Sequence, residues 1–248
     1  MIIIKTKKEL EIMRQAGLIV ADTLERLAGL VKPGITTAAL DHFAERYIVD
    51  RGAKASFKGY NGFPASVCVS VNEEVVHGIP GERRLKEGDI VSIDLGAIVN
   101  GWHGDAAITV PVGEVDPEIM RLLKVTEESL YQGIKAAQVG ARLGMVSNAI
   151  QSYVERAGFS VVRQYVGHGI GRQMHEDPPV PNYGRQDRGP VLAEGMTIAI
   201  EPMVNVGGYE VLVKPDNWTV YTKDGSYSAH FEHTVAITSN GPEILTRK

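Results

Sequence analysis

The sequence predicts an α+β fold of two similar halves, each with antiparallel strands packed under helices. Three observations lead there: two pairs of amphipathic helical segments, alternating strands after each pair, and letters that correspond between the halves at a nearly constant offset. The halves are expected at about 6–112 and 117–248, within a single domain spanning 1–248.

Thr6 and Glu9 form a capping box, and Leu10, Met13, Val20, Leu24, Leu27 and Val31 follow at mostly helical spacing until "KPG" stops them. A second helix is expected from Thr36, through Leu40, Phe43, Tyr47 and Ile48, to Gly52. "SVCVSV" at 66–71 reads as a strand, and "HGIPGERR" as a loop. Two strands follow at 89–98 and 105–112, joined through "NGWHG". From Pro117 the pattern begins again, with a long helix to about Gln138, a shorter one from Val146 to Ala157, then strands and loops. No low-complexity linker separates the halves.

Gly34 to Gly52 and Gly140 to Gly158 enclose helices of equal length at an offset of 106. "LKEGDIVSID" at 85–94 aligns with "LAEGMTIAIE" at 192–201 at an offset of 107, ending acid on acid. "DAAITV" from Asp105 likewise resembles "EHTVAI" from Glu232. By strand alternation each acid shares a face with small or polar residues: Ser92, Ala107, Thr109, Ala199, Thr234 and Ala236. Val91, Ile93, Ile108, Val110, Ile198, Ile200, Val235 and Ile237 take the other face. If the halves face each other across a pseudo-twofold axis, Asp94, Asp105, Glu201 and Glu232 converge.

Composition narrows the partners. The chain has 248 residues, 44% of them hydrophobic, which is ample for a core. A net charge of -4 with scattered basic residues gives no general attraction to nucleic acid or an anionic membrane. No apolar run approaches the ~20 residues of a membrane helix, and "MIIIKTKKELEIMRQ" has no signal-peptide core. A single cysteine, Cys68, suits a reducing compartment, so a cytoplasmic protein is expected.

Four converging carboxylates cannot all stay ionised, since each pair at 4 Å repels by ~4 kcal/mol at an effective dielectric of 20. Two divalent ions would balance them. His168, in the glycine-rich "YVGHGIG", is the candidate nitrogen ligand. His77 lies in "VVHGIP", which resembles "HGIG" at an offset of 91. The sixteen residues of difference form an insertion in the second half that contains His175. Both histidines are candidate proton carriers or oxyanion donors. His42, His103, His230 and His233 gain no such support.

At this point the chain resembles the type I methionine aminopeptidases in their short form. The motifs include "GYNGFPASVCVSVNEEVVHGIP", "IDLGAIVNGWHGDAAIT", "GHGIGRQMHEDPPVPNYG", "GMTIAIEPM" and "SAHFEHTVAIT". The resemblance implies the pita-bread fold, a single catalytic domain and metal-dependent hydrolytic removal of the initiator methionine from nascent proteins, with a small second residue preferred. It implies that Asp105 and Glu232 bridge two divalent ions (manganese, iron, cobalt or zinc), that Asp94 completes one site, and that His168 with Glu201 completes the other. A metal-bridging hydroxide would attack the scissile carbonyl and Glu201 would relay its proton. His175 would stabilise the tetrahedral oxygen, His77 would contact the scissile nitrogen, and the substrate amine would meet the metal held by Asp94. Tyr60, Phe63, Cys68, Met174 and Trp218 match the methionine pocket. Phe63 stands where a tyrosine is common and Met174 where an aromatic is common, which bears on fine specificity. A monovalent cation near Asn72 and Ser228, transient ribosome association and a monomeric state are also implied.

Two rival readings are distinguishable. A proline-specific peptidase of this fold usually carries a further N-terminal domain, for which the chain is expected to leave no room. A non-catalytic, ribosome-associated binding protein should show a lost ligand or a basic insertion, and neither is present.

Overall fold

A computed structural model describes residues 1–248. Four helices, α1 (Lys7–Leu30), α2 (Thr37–Asp50), α3 (Pro117–Ala136) and α4 (Leu143–Arg156), accompany fifteen strands. The strands before α3 are β1 (Lys54–Ala55), β2 (Cys68–Val71), β3 (Glu74–Val76), β4 (Ile90–Val99) and β5 (Trp102–Pro111). Those after α4 are β6 (Ser160–Val161), β7 (Gly167–Gly169), β8 (Glu176–Val180), β9 (Thr197–Ile200), β10 (Met203–Asn205), β11 (Val211–Val213), β12 (Val220–Thr222), β13 (Ser228–His230), β14 (Glu232–Thr238) and β15 (Gly241–Ile244).

A nine-stranded sheet in the order β1-β4-β5-β14-β9-β7-β8, with β2 on β4 and β15 on β14, crosses both halves of the chain. All of its pairs are antiparallel. Val91, Ile93 and Leu95 bury one face against Val20, Leu24 and Leu27 of α1 and Leu40 and Ile48 of α2. On the other half Ile198, Ile200, Val235 and Ile237 pack against Leu122, Leu130 and Ile134 of α3 and Val146 and Ile150 of α4. Each fully buried aliphatic side chain contributes about 1.5–3 kcal/mol, so these two cores fix the sheet that carries the acids.

The capping box at Thr6 and Glu9 is present, with the Thr6 N–H donating to Glu9 Oε2 at 2.8 Å. Two expected boundaries differ by three residues. β5 begins at Trp102, not 105, because Asn100 and Gly101 adopt φ of 50° and 78° and close a two-residue hairpin that pairs Val99 with Trp102. α4 begins at Leu143, not Val146, because the backbone N–H groups of Leu143 and Gly144 are satisfied by the carbonyls of Pro190 and Arg188. No helix is long and apolar enough to cross a membrane.

Candidate metal centre

Strand register places three of the acids. Asp94 on β4 and Glu232 on β14 both lie opposite Ala107 of the intervening β5, so they flank a methyl-sized side chain from either side. Asp105 is two residues from Ala107 on the same face and lies opposite Gly96. Glu201 follows β9 directly, one residue beyond the His233–Ile200 pair, which brings it to Glu232. Pro202 disfavours a helical conformation for Glu201, and Asn182 Nδ2 donates to the Glu201 carbonyl at 3.0 Å.

His168 enters from β7. A Cβ on Gly167 would lie 2.3 Å from the Ala199 carbonyl, and one on Gly169 2.2 Å from that of Asp177, so only glycine allows this backbone to lie so close. Its Nδ1–H donates to the Gly169 carbonyl at 2.8 Å, which leaves Nε2 bare. That nitrogen faces Glu201 Oε1 at 3.6 Å and Asp105 Oδ2 at 3.9 Å. Asp105, His168 and Glu232 offer ligand atoms all within 4.8 Å of one another.

The electrostatics are those of a site built for a cation. Asp94 Oδ1, Asp105 Oδ1 and Glu232 Oε1 are buried with no hydrogen-bond donor. Burial pushes the Asp105 carboxyl up to about 7. Burial, followed by the neighbouring acids, pushes Asp94, Glu201 and Glu232 well above the usual carboxylate range. Burial lowers His168 to about 3, so its imidazole is neutral and its lone pair available. Orphaned carboxylate oxygens and one bare imidazole nitrogen form a donor set that fits a divalent metal.

One cavity leads to these groups and is lined by Asp94, Asp105, His168, Glu201 and Glu232. Tyr60, Phe63, Cys68, His77, Met174, His175 and Trp218 line it as well, so every site residue named from the sequence is brought together. Phe63, Cys68 and Met174 form a buried apolar cluster with Phe57 and Ala65, against which Trp218 packs. His175 lies in the inserted segment, its Nδ1 at 2.8 Å from the Tyr60 hydroxyl and its ring 4.2 Å from that of His168. His77 has a left-handed φ of 59°, and burial then His175 hold its pKa down to about 4. Ser228 donates its N–H to the Asn72 carbonyl at 2.9 Å, while the Asn72 side chain is engaged by Asp89 and Ile90.

These geometries meet their counterparts in known proteins. The profile of metallopeptidase family M24 matches residues 11–239. The chain belongs to metallopeptidase family M24. Methionine aminopeptidase 1 of Bacillus subtilis is 60% identical over 247 residues, covering 100% of both chains. The crystal structure of a methionine aminopeptidase from Thermotoga maritima superimposes with a TM-score of 0.99 at 51% identity, again over 100% of each chain. A prolidase from Pyrococcus furiosus has a TM-score of 0.80 at 24% identity over 99% of this chain and 66% of its own, a likeness of fold alone. The α+β fold expected from the sequence is therefore the pita-bread fold, and the expected family is the one found. As an M24 member the chain is a metal-dependent peptidase that requires a divalent ion.

Two features escaped the sequence reading. His230 is buried beside Glu201, with Nε2 3.6 Å from Glu201 Oε2. Its signal was available, two residues before Glu232 on the same alternation, but an irregular step at Phe231 obscures it. Lys5 forms a buried ion pair with Glu176 at 2.6 Å, next to His175, with side chains 1% and 3% exposed. Nothing in the sequence marks a pair 171 residues apart. Of the other histidines set aside, His42 is exposed, His103 bonds Ser56 at 3.0 Å, and His233 turns to Thr246 at 2.9 Å.

Proposed function

We propose that this chain hydrolyses the bond after an N-terminal methionine of nascent polypeptides, preferring a small second residue. The observation that carries the reading is the convergence of Asp94, Asp105, His168, Glu201 and Glu232, with donorless carboxylate oxygens, on a cavity walled by apolar side chains.

Asp105 and Glu232 would bridge two divalent ions, with Asp94 completing one position and His168 with Glu201 the other; manganese, iron, cobalt and zinc all suit such ligands. When bound, the metal supplies Lewis acidity and an acidified water. Glu201, half-buried and with its pKa raised, is suited to take up and return a proton at its carboxylate. The Tyr60 hydroxyl, donating to His175 Nδ1, would fix the tautomer with a proton on Nε2, which can donate to an oxygen gaining negative charge. His77, neutral at pH 7, would contact the scissile nitrogen. Phe63, Cys68, Met174, Trp218 and Tyr60 would receive the methionine side chain, whose burial contributes about 1.5–3 kcal/mol.

Residues 1–248 would act as a single catalytic domain with halves at about 6–112 and 117–248, since acids from both line one cavity. In the same reading the chain would be a monomer that meets nascent chains transiently at the ribosome, in the cytoplasm, a reducing compartment that suits its one buried cysteine. Methionine release from Met-Gly, Met-Ala and Met-Leu peptides tests the reading: the first two are expected to be cleaved and the third hardly at all. Equal turnover of all three would overturn the specificity.

A further inference from the structure

His230 is a fully buried polar side chain that the proposed chemistry leaves unused. It is 1% exposed, and neither ring nitrogen has a hydrogen-bond partner. Its backbone is pinned on both groups by one hydroxyl: Thr109 Oγ1 donates to the His230 carbonyl at 2.8 Å and accepts from its N–H at 2.9 Å. Ser92 in turn bonds Thr109 at 2.8 Å. The ring therefore starts from a fixed point, and its Nε2 lies 3.6 Å from Glu201 Oε2.

The other oxygen of that carboxylate, Oε1, is 3.6 Å from His168 Nε2. Glu201 is thus held between two imidazoles of opposite character. His168 has spent its proton-bearing nitrogen on Gly169 and presents a lone pair. His230 has no such commitment and can present an N–H. A buried donor left unpaired costs about 1–3 kcal/mol, and closing the gap by about 0.6 Å brings it within ordinary hydrogen-bond length.

We infer that His230 is a positioning residue for Glu201, donating Nε2–H to Oε2 and so directing Oε1 toward His168 and the metal centre. The role rests on Glu201 being a metal ligand, as proposed above. Orienting partners of this kind typically change metal affinity or activity by about 10–100-fold.

The test compares His230→Leu, which removes the donor, with His230→Gln, whose amide can still reach, and His230→Asn, whose amide is too short. Manganese affinity of the chelated protein is measured by calorimetry, alongside kcat and KM on a Met-Gly peptide. His230→Leu and His230→Asn are expected to lose about tenfold or more in both manganese affinity and kcat with little change in KM, and His230→Gln to recover to within about threefold. If the leucine variant does not fold, the glutamine and asparagine pair decides alone. Unchanged affinity and kcat in the leucine or asparagine variant, or equal losses in glutamine and asparagine, would overturn the role. Glu201→Gln is measured in parallel: full manganese affinity there would overturn the ligand assignment itself, whereas loss there with an intact His230→Asn would overturn only the inference.

Discussion

On one face of β4, β5 and β14, Val91, Ile93, Leu95, Ala106 and Val235 are buried in apolar cores. On the opposite face of the same strands, Asp94, Asp105 and Glu232 hold buried oxygens without a donor. The first face is sealed and lowers the free energy of the fold, whereas the second lines a cavity and keeps acid oxygens from water at a cost that a bound cation would offset. The alternation of a strand lets one segment do both: the aliphatic face anchors the backbone while the opposite face presents clustered carboxyl groups that suit a cation.

The sharpest way to break this contrast is to neutralise one acid. Glu232→Gln is expected to lower kcat/KM by about 10³-fold or more, roughly 4 kcal/mol of transition-state stabilisation. The metal-free variant should unfold no earlier than the metal-free parent in urea, because a buried carboxyl group whose ionisation is opposed by burial and by its neighbours has been removed. The mirror-image change, Ile93→Ala on the aliphatic face, should destabilise by about 2–5 kcal/mol in the same urea titration while changing metal affinity by less than about threefold. Comparable losses of stability from both variants would erase the distinction between the faces.

The protons of the acid face sharpen it further. In the metal-free protein burial raises Asp105 to about 7 and raises Asp94, Glu201 and Glu232 well above the usual carboxylate range, so above the unfolded carboxylate range the folded state holds more protons than the unfolded one. Stability therefore falls as pH rises. The buried histidines, lowered to about 3 or 4, oppose this only below about pH 6.5, where unfolded histidine still binds a proton. Melting temperatures of chelated protein are expected to decline from pH 6.5 upward, and added metal, replacing the protons, should flatten the decline. The smallest effect belongs to the proposed substrate wall: Met174→Ala should raise KM for Met-Gly about tenfold and spare kcat, read from initial rates.

Much of this was legible because local rules and tertiary structure agree. The capping box at Thr6 is a local signal and it set the start of α1; α4 has no side-chain cap at Arg142, and its start was placed three residues late. The acid face was readable because alternation along β4 and β14 is unbroken from the apolar residues to Asp94 and Glu232. His230 was not, because Phe231 interrupts the strand between it and Glu232. Lys5 and Glu176 were not, because only the folded chain brings an N-terminal lysine under the segment bearing His175.

The most direct test of the acid face as a metal centre is calorimetric titration of chelated protein with manganese, with methionine release from a Met-Gly peptide followed at each addition. Two ions should bind per chain and activity should rise with them, while Glu232→Gln should lose both. Full activity in the thoroughly chelated protein, or a Glu232→Gln variant that binds and cleaves like the parent, would contradict it.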